Sequence, residues 1–365
     1  MTMETRLTFP AIYKRGVGVL NELGDFCKTY GHKAIITGGH RALEAVGAEA
    51  KASLEAAGME VVETYWYGGE CTWDNVEKMA AEITRLGAEC IIAAGGGRSL
   101  DTAKAAAYQL DLPIITIPTI GATCAAMTPL SIINDEHGGY IENSPKSKGP
   151  VGVFVDTAVI AKAPARWLYG GMGDTLAKMY EYRATASKAE PTSWVLGAIN
   201  NGITCYDIIK KYGKGAKEAV MAQVPNDALG YALDAIVYYA GICSIIGGES
   251  LRGAAAHCVY FGFSYIPEAH EWGHGLLVGF GNLCLLALEG YSDEEIKEEI
   301  RLAIDCGVPV TLSQIAKVDD KDLALVAEVA VRSPDMRNMP FEVTEEMVIK
   351  AIKHVDELGR EVTAS

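Results

Sequence analysis

The chain has 365 residues, 49% apolar and 22% charged, with 47 acidic against 32 basic side chains and a net charge of −15. This composition excludes a disordered chain, and the acidic excess without a basic patch argues against nucleic acid and anionic membrane surfaces as partners. Two domains are expected at roughly 100–200 residues each.

From the N-terminus, apolar β-rich runs alternate with amphipathic segments. Strands are predicted at 34–37, 59–66, 89–94, 113–118 and 151–155, with helices at 19–30, 43–57, 73–86 and 99–110. Strands alternating with helices build a parallel sheet covered on both faces. A polar, Gly-rich stretch at 134–149 reads as a hairpin or flap. Beyond about Pro164 the strand-like runs stop. Helical patterns follow at 172–187, 228–246, 253–263, 293–306 and 344–358, the last with Thr344 as its N-cap. The predicted organisation is α/β: an N-terminal parallel-sheet dinucleotide-binding domain over 1–164 and a C-terminal all-helical domain over 165–365. The 9 cysteines fall singly, with no CxxC pair, which fits small buried hydrophobes in a reducing compartment. Residues 1–13 show no signal pattern, and no apolar run approaches the ~20 residues needed to span a bilayer. A cytoplasmic protein is expected.

The strand at 89–94 runs into Gly95-Gly96-Gly97-Arg98-Ser99-Leu100-Asp101 and a helix through Lys104. Glycines admit unusual backbone angles and close approach, and the free N–H groups of a first helical turn bind anions. A pyrophosphate suits that place, as does a purely structural turn. A second loop of small and hydroxylic residues, Pro118-Thr119-Ile120-Gly121-Ala122-Thr123-Cys124, follows the next strand, with Thr128 and Leu130 just beyond. Open α/β sheets bind ligands at the carboxyl ends of their strands, so Gly95, Gly96, Gly97, Arg98, Ser99, Asp101, Thr119, Thr123, Thr128 and Leu130 are candidates to line a cofactor crevice.

Three of the 7 histidines lie between residues 257 and 274: His257 in Ala254-Ala255-Ala256-His257, then His270 and His274 in Ala269-His270-Glu271-Trp272-Gly273-His274-Gly275. Upstream, Gly171-Met172-Gly173-Asp174 places a carboxylate near a predicted helix start. Imidazoles with a carboxylate suit Zn²⁺ or Fe²⁺, while Asp174 as an N-cap and His257 as a core histidine are the structural alternatives.

These segments occur in one order, with Val155-Asp156-Thr157 and Ala163-Pro164-Ala165-Arg166 between them. That order resembles the glycerol dehydrogenase branch of the iron-containing alcohol dehydrogenase superfamily over nearly the whole chain. The resemblance implies a dehydroquinate synthase-like architecture, a nicotinamide cofactor, and one divalent metal on Asp174, His257 and His274. Some members add a histidine one turn after the aspartate. Here that residue is Lys178, so the three-ligand site of the zinc-using members fits better, and zinc is expected ahead of iron. Relatives often assemble, so a homo-oligomer is expected.

Within that branch the chain departs from the glycerol dehydrogenases. They typically carry Thr-Asp-Ala in the second loop, where this chain has Thr123-Cys124-Ala125, and small residues where it has Arg252. These features resemble the hydroxycarboxylate dehydrogenase subgroup. Losing an acid at Cys124 and gaining cations at Lys178 and Arg252 suits a carboxylate substrate. The expectation is reduction of short 2-oxo acids to 2-hydroxy acids, with a glycerol or vicinal diol dehydrogenase as the alternative and a dehydroquinate synthase-like lyase as the remote one. The metal would act as a Lewis acid on the substrate oxygen. His270, close to the ligands in sequence, is a candidate proton relay or a structural neighbour. After the first strand, Gly38-Gly39-His40-Arg41 lacks the acid that NAD-preferring enzymes often place there, so NADPH is expected to be accepted alongside NADH.

Overall fold

The computed structural model describes residues 7–248, 251 and 253–364. Arg252, one of the candidate substrate residues, lies outside the described residues. The chain divides into two units between Pro164 and Ala165, and the segment Ala219–Gly230 goes with the first.

In the first unit, Val46, Ala50 and Leu54 recur every fourth residue along the helix His40–Ala56, as one apolar helix face requires. They join Ile36, Ile92, Ile115, Ile117 and Phe154 in one buried cluster. Each such aliphatic side chain taken fully out of water contributes about 2 kcal/mol. The strands are β1 (Ile12–Gly16), β2 (Lys33–Gly38), β3 (Glu60–Trp66), β4 (Cys90–Gly95), β5 (Ile114–Pro118), β6 (Ser131–Asn134), β7 (Tyr140–Ser144) and β8 (Gly152–Asp156). Six pair in parallel in the order β1-β8-β5-β4-β2-β3. β6 and β7 form a separate antiparallel hairpin, the form expected around the polar stretch.

The parallel-sheet domain and the helical domain match the predicted fold class, and four local expectations are corrected. β1 was not expected: its five residues are only partly buried, and an edge strand with two cations has no apolar signature. The helix expected at 19–30 is a 3₁₀ turn, Val19–Glu22, followed by a short helix, Leu23–Cys27. The helix expected from 172 starts at Arg166 and runs to Ala186, so Asp174 lies inside it and is not an N-cap. The fourth concerns apolar length. Residues Asp227–Gly247 are continuously helical, with a π turn at Asp234–Tyr239, and are long and apolar enough to cross a membrane. More than half of that stretch is buried within the protein.

In the second unit, secondary structure among the described residues is helical throughout. The glycines around Asp174 look like helix breakers in the sequence. They act instead as points of close approach. A Cβ on Gly275 would stand 2.2 Å from the Gly170 carbonyl oxygen, and one on Gly173 would stand 2.6 Å from the Gly275 carbonyl oxygen. The helices Arg166–Ala186 and His274–Leu288 therefore meet backbone to backbone. Gly281 likewise admits the Ala256 carbonyl, 2.3 Å from where its Cβ would be. This packing brings together the helices that carry Asp174, His257 and His274.

The consequence is testable. Gly275→Ala forces two backbones apart and is expected to cost about 2–3 kcal/mol. Gly47→Ala, inside the helix His40–Ala56 with its nearest neighbour at 3.9 Å, should instead gain about 0.5–1 kcal/mol from helix propensity. Urea unfolding midpoints of the two variants should move in opposite directions. A Gly275→Ala midpoint equal to the parent's would remove the close-packing account.

Candidate functional site

The sheet of the first unit has a topological switch point. Strand order reverses between β2 and β4, which pair side by side with Gly38 opposite Ala94. Ligands bind open α/β sheets outside such switch points. The helices that leave these two strands, His40–Ala56 and Gly97–Leu110, start at Gly39 and Gly96 with no side-chain cap and no acid in the first turn. Their neighbours differ. The helix Trp73–Leu86 is capped by Thr72, and the short helix Thr157–Ala161 by Asp156. The two open N-termini thus fall together at the switch point, where their unpaired N–H groups and positive dipole ends favour an anion. Gly95 has φ +146, a conformation that other residues rarely adopt.

The predicted crevice residues take different roles. His40 is exposed and its ring stacks on Trp66, centroids 5.1 Å apart at 11°. Arg41 is exposed beside it. Arg98 pairs with Glu70 at 2.9 Å, and the Ser99 hydroxyl donates to the Ala94 carbonyl at 2.9 Å, so both side chains hold the turn. Asp101 is turned into the interior. Its Oδ1 lies 2.8 Å from Lys104 Nζ, and its Oδ2 accepts from the Ile132 N–H at 3.0 Å. Burial pushes the Asp101 carboxyl above its usual range, against the pull of Lys104 and the Ile132 N–H. Lys104, fully buried, also donates to the carbonyls of Ala125, Thr128 and Leu130 at 2.8, 3.0 and 2.5 Å. Thr128 and Leu130 thus serve through their backbones. Thr119 is buried with its N–H on the Gly95 carbonyl at 3.1 Å, and Thr123 Oγ1 accepts from the Ala125 N–H at 3.0 Å. Cys124 is half-buried, and the other eight cysteines are buried; all nine are free thiols.

In the second unit, Asp174, His257 and His274 come together. Their ligand atoms all lie within 4.8 Å of one another. Asp174 Oδ1 stands 3.5 Å from His257 Nε2 and 3.4 Å from His274 Nε2, yet it is buried without a hydrogen-bond partner. Ligands bonded at about 2.1 Å to a tetrahedral ion are separated by about 3.4 Å. The donor types and both spacings therefore fit a divalent metal. His257 is mostly buried, whereas His274, at the start of its helix, is 42% exposed and has its ring against Tyr260. One side is thus open, as a metal that meets a substrate requires.

The electrostatics agree. Burial opposes ionisation of Asp174, but the Lys178 ammonium and the two imidazoles outweigh it and hold the carboxyl well below its usual range. Burial also opposes the charged form of His257. Glu181 and Asp174 prevail and push that ring up to about 10, so the site favours a cation.

Glu181 was missed in the sequence. It lies two turns beyond Asp174 on the same face of the helix Arg166–Ala186 and is buried, with Oε2 2.6 Å from His257 Nδ1. The i, i+4, i+7 series Asp174, Lys178, Glu181 is the available signal, since residues at that spacing share one helix face. Lys178 is itself buried. His270 is exposed at the end of the short helix Pro267–His270, separated from His274 by Gly273 with φ +79, and is not among the grouped donors.

Comparison with known proteins places the chain. The model of the iron-containing alcohol dehydrogenase family matches residues 10–157. A glycerol dehydrogenase from Pseudomonas putida is 34% identical over 366 residues, 98% of this chain and 99% of that protein. This chain belongs to the iron-containing alcohol dehydrogenase family. A glycolaldehyde reductase from Halobacterium salinarum is 33% identical over 363 residues, 97% of each chain. Hydroxycarboxylate dehydrogenase A from Escherichia coli is 31% identical over 355 residues, 95% of this chain and 96% of that one. The crystal structure of glycerol dehydrogenase from Schizosaccharomyces pombe superposes with a TM-score of 0.88 at 26% identity, covering 100% of this chain and 93% of that chain. Enzymes of this alcohol dehydrogenase family act on CH–OH groups and bind NAD(H) and a divalent metal. A hydroxycarboxylate dehydrogenase is among the relatives, but the glycerol dehydrogenases favour the polyol alternative over the 2-oxo acid expectation.

Proposed function

We propose that the chain is a metal-dependent dehydrogenase that exchanges hydride between NAD(H) or NADP(H) and glycerol or a comparably small vicinal diol. The observation that carries this reading is the orphaned Asp174 Oδ1 facing two imidazole nitrogens at 3.4 and 3.5 Å. Asp174, His257 and His274 would hold the ion, whose bound chemistry is Lewis acidity toward a substrate oxygen. The chain's own part is positional and electrostatic. Asp174 contributes fixed negative charge, Glu181 fixes the His257 ring, and Lys178 supplies a buried positive charge one turn away. The uncapped N-termini at Gly39 and Gly96 receive the cofactor's phosphates. No carboxylate stands in the first turn after β2, and Arg41 is exposed there, which supports acceptance of a 2′-phosphate. Three ligands with mixed oxygen and nitrogen donors support zinc.

One observation favours a second reading, reduction of short 2-oxo acids: Lys178 is only 8% exposed and lies one helical turn from Asp174, where a substrate carboxylate could reach it. Nicotinamide absorbance with zinc-loaded protein decides between them. Oxidation of glycerol, ethylene glycol and 1,2-propanediol, and reduction of glycolaldehyde, should exceed reduction of 2-oxo acids by about tenfold or more in kcat/KM. Faster turnover of 2-oxo acids, lost on Lys178→Met with neutral substrates spared, would move the function to the second reading.

A further inference from the structure

The helix Ala255–Phe263 carries His257 in its first turn, yet its N-cap is Ala254, which has no side chain able to cap it. The missing groups come from another helix. Glu181 Oε1 accepts from the N–H of Ala254 at 2.8 Å and from the N–H of His257 at 3.0 Å. These are the two donors that a capping box satisfies with two local side chains. The second oxygen, Oε2, lies 2.6 Å from His257 Nδ1.

We propose that Glu181 is a positioning residue for the metal. Its one carboxylate closes the N-terminus of the helix that bears His257 and accepts a hydrogen bond from Nδ1–H, so that Nε2 is presented to the ion at a fixed angle and with raised basicity. The inference rests on the metal-dependent reading above and deepens it. Three features carry it. The carboxylate is almost fully buried, where an acid without partners would be costly. Both its oxygens are committed to one residue and that residue's cap. The remaining ring nitrogen faces Asp174 Oδ1. Carboxylates in this relation to a ligating histidine set its tautomer and orientation, and their loss typically costs 10–100-fold in metal affinity.

The experiment is competitive titration of Zn²⁺ against a chelator, with the visible spectrum of Co²⁺ as a second reporter, on the full chain. Glu181→Gln keeps an oxygen for the two backbone donors and removes the charge, so helix content by circular dichroism should match the parent. Its zinc Kd should rise about tenfold, and that of Glu181→Ala about a hundredfold. The Co²⁺ band of Glu181→Gln should shift, a change that helix capping alone would not produce. A Glu181→Gln zinc Kd within twofold of the parent, with an unchanged cobalt spectrum, would overturn the proposal. If Glu181→Gln does not fold, Glu181→Asp serves. It keeps the charge but draws it back by one methylene, and a Kd equal to the parent's overturns the proposal equally. A parent that binds no zinc removes the metal site itself. A parent that binds zinc beside unchanged variants removes only the role of Glu181.

Discussion

Asp174→Asn should lower kcat/KM by about three orders of magnitude or more, with the fold intact. The substitution is isosteric, and Asp174 lies inside a 21-residue helix that it does not cap. What it removes is the one anionic donor among the three grouped residues. The Lys178 ammonium and the two imidazoles, which hold the Asp174 carboxyl well below its usual range, would then surround a neutral amide. A divalent ion would enter a field that had turned against it. Lewis-acid stabilisation of a developing alkoxide amounts to several kcal/mol, and each 1.36 kcal/mol lost from the barrier is about tenfold in rate. The checks are bound zinc per chain and steady-state kinetics at saturating zinc. Parent-like zinc content together with parent-like kcat would place the chemistry elsewhere.

The sequence exposes the donors unevenly, for physical reasons. His257 and His274 stand out because histidines are few and two glycine-rich segments flank them. Asp174 is visible only in company, since a carboxylate after Gly-Met-Gly has the signature of an N-cap. It is instead mid-helix, because Gly170 and Gly173 meet Gly275 and are required by packing, not by a turn. Glu181 is harder still to see. Its importance lies in contacts made 73 and 76 residues away, and local sequence says nothing of them.

The sheet is legible for the opposite reason. β2, β4, β5 and β8 are apolar runs buried along nearly their whole length, so composition alone marks them. Among the described residues β1 pairs only with β8, on one side, and its residues Lys14 and Arg15 resemble loop residues. The glycine-rich turn joins β4 to the helix Gly97–Leu110, as its sequence suggests. Arg98 pairs with Glu70, Ser99 donates to the Ala94 carbonyl, and Asp101 pairs with Lys104 and accepts from the Ile132 N–H, so these side chains hold the turn and its neighbours in shape. A motif marks where a backbone must go more reliably than where each side chain points.

Lys104 shows how much such internal support contributes, and Lys104→Met is the second large effect. Its ammonium is fully buried, ion-paired with Asp101 and hydrogen-bonded to the carbonyls of Ala125, Thr128 and Leu130. Methionine matches the stem and removes every one of these bonds. Breaking a buried ion pair from one side costs about 3–5 kcal/mol, because a charge is left without compensation. Here three carbonyls lose their donor as well. Asp101 can reduce the loss by taking a proton, since burial already raises its carboxyl. An acid with a raised folded-state pKa contributes stability below its unfolded value near 3.9, and that contribution is lost as pH rises through the folded value. The deficit of Lys104→Met should therefore be smallest near pH 4 and reach its full size at neutral pH and above. Because Lys104 holds the backbone from Ala125 to Leu130, and Ala125 packs beside Gly97 at the proposed phosphate-binding turn, KM for the nicotinamide cofactor should rise while zinc affinity stays at the parent value. Urea unfolding at several pH values, with cofactor KM and zinc Kd on the same preparations, separates these effects. A stability loss below about 1 kcal/mol at pH 7 would show that the buried pair is not what holds the loop. A parallel fall in zinc affinity would show that the two sites do not act independently.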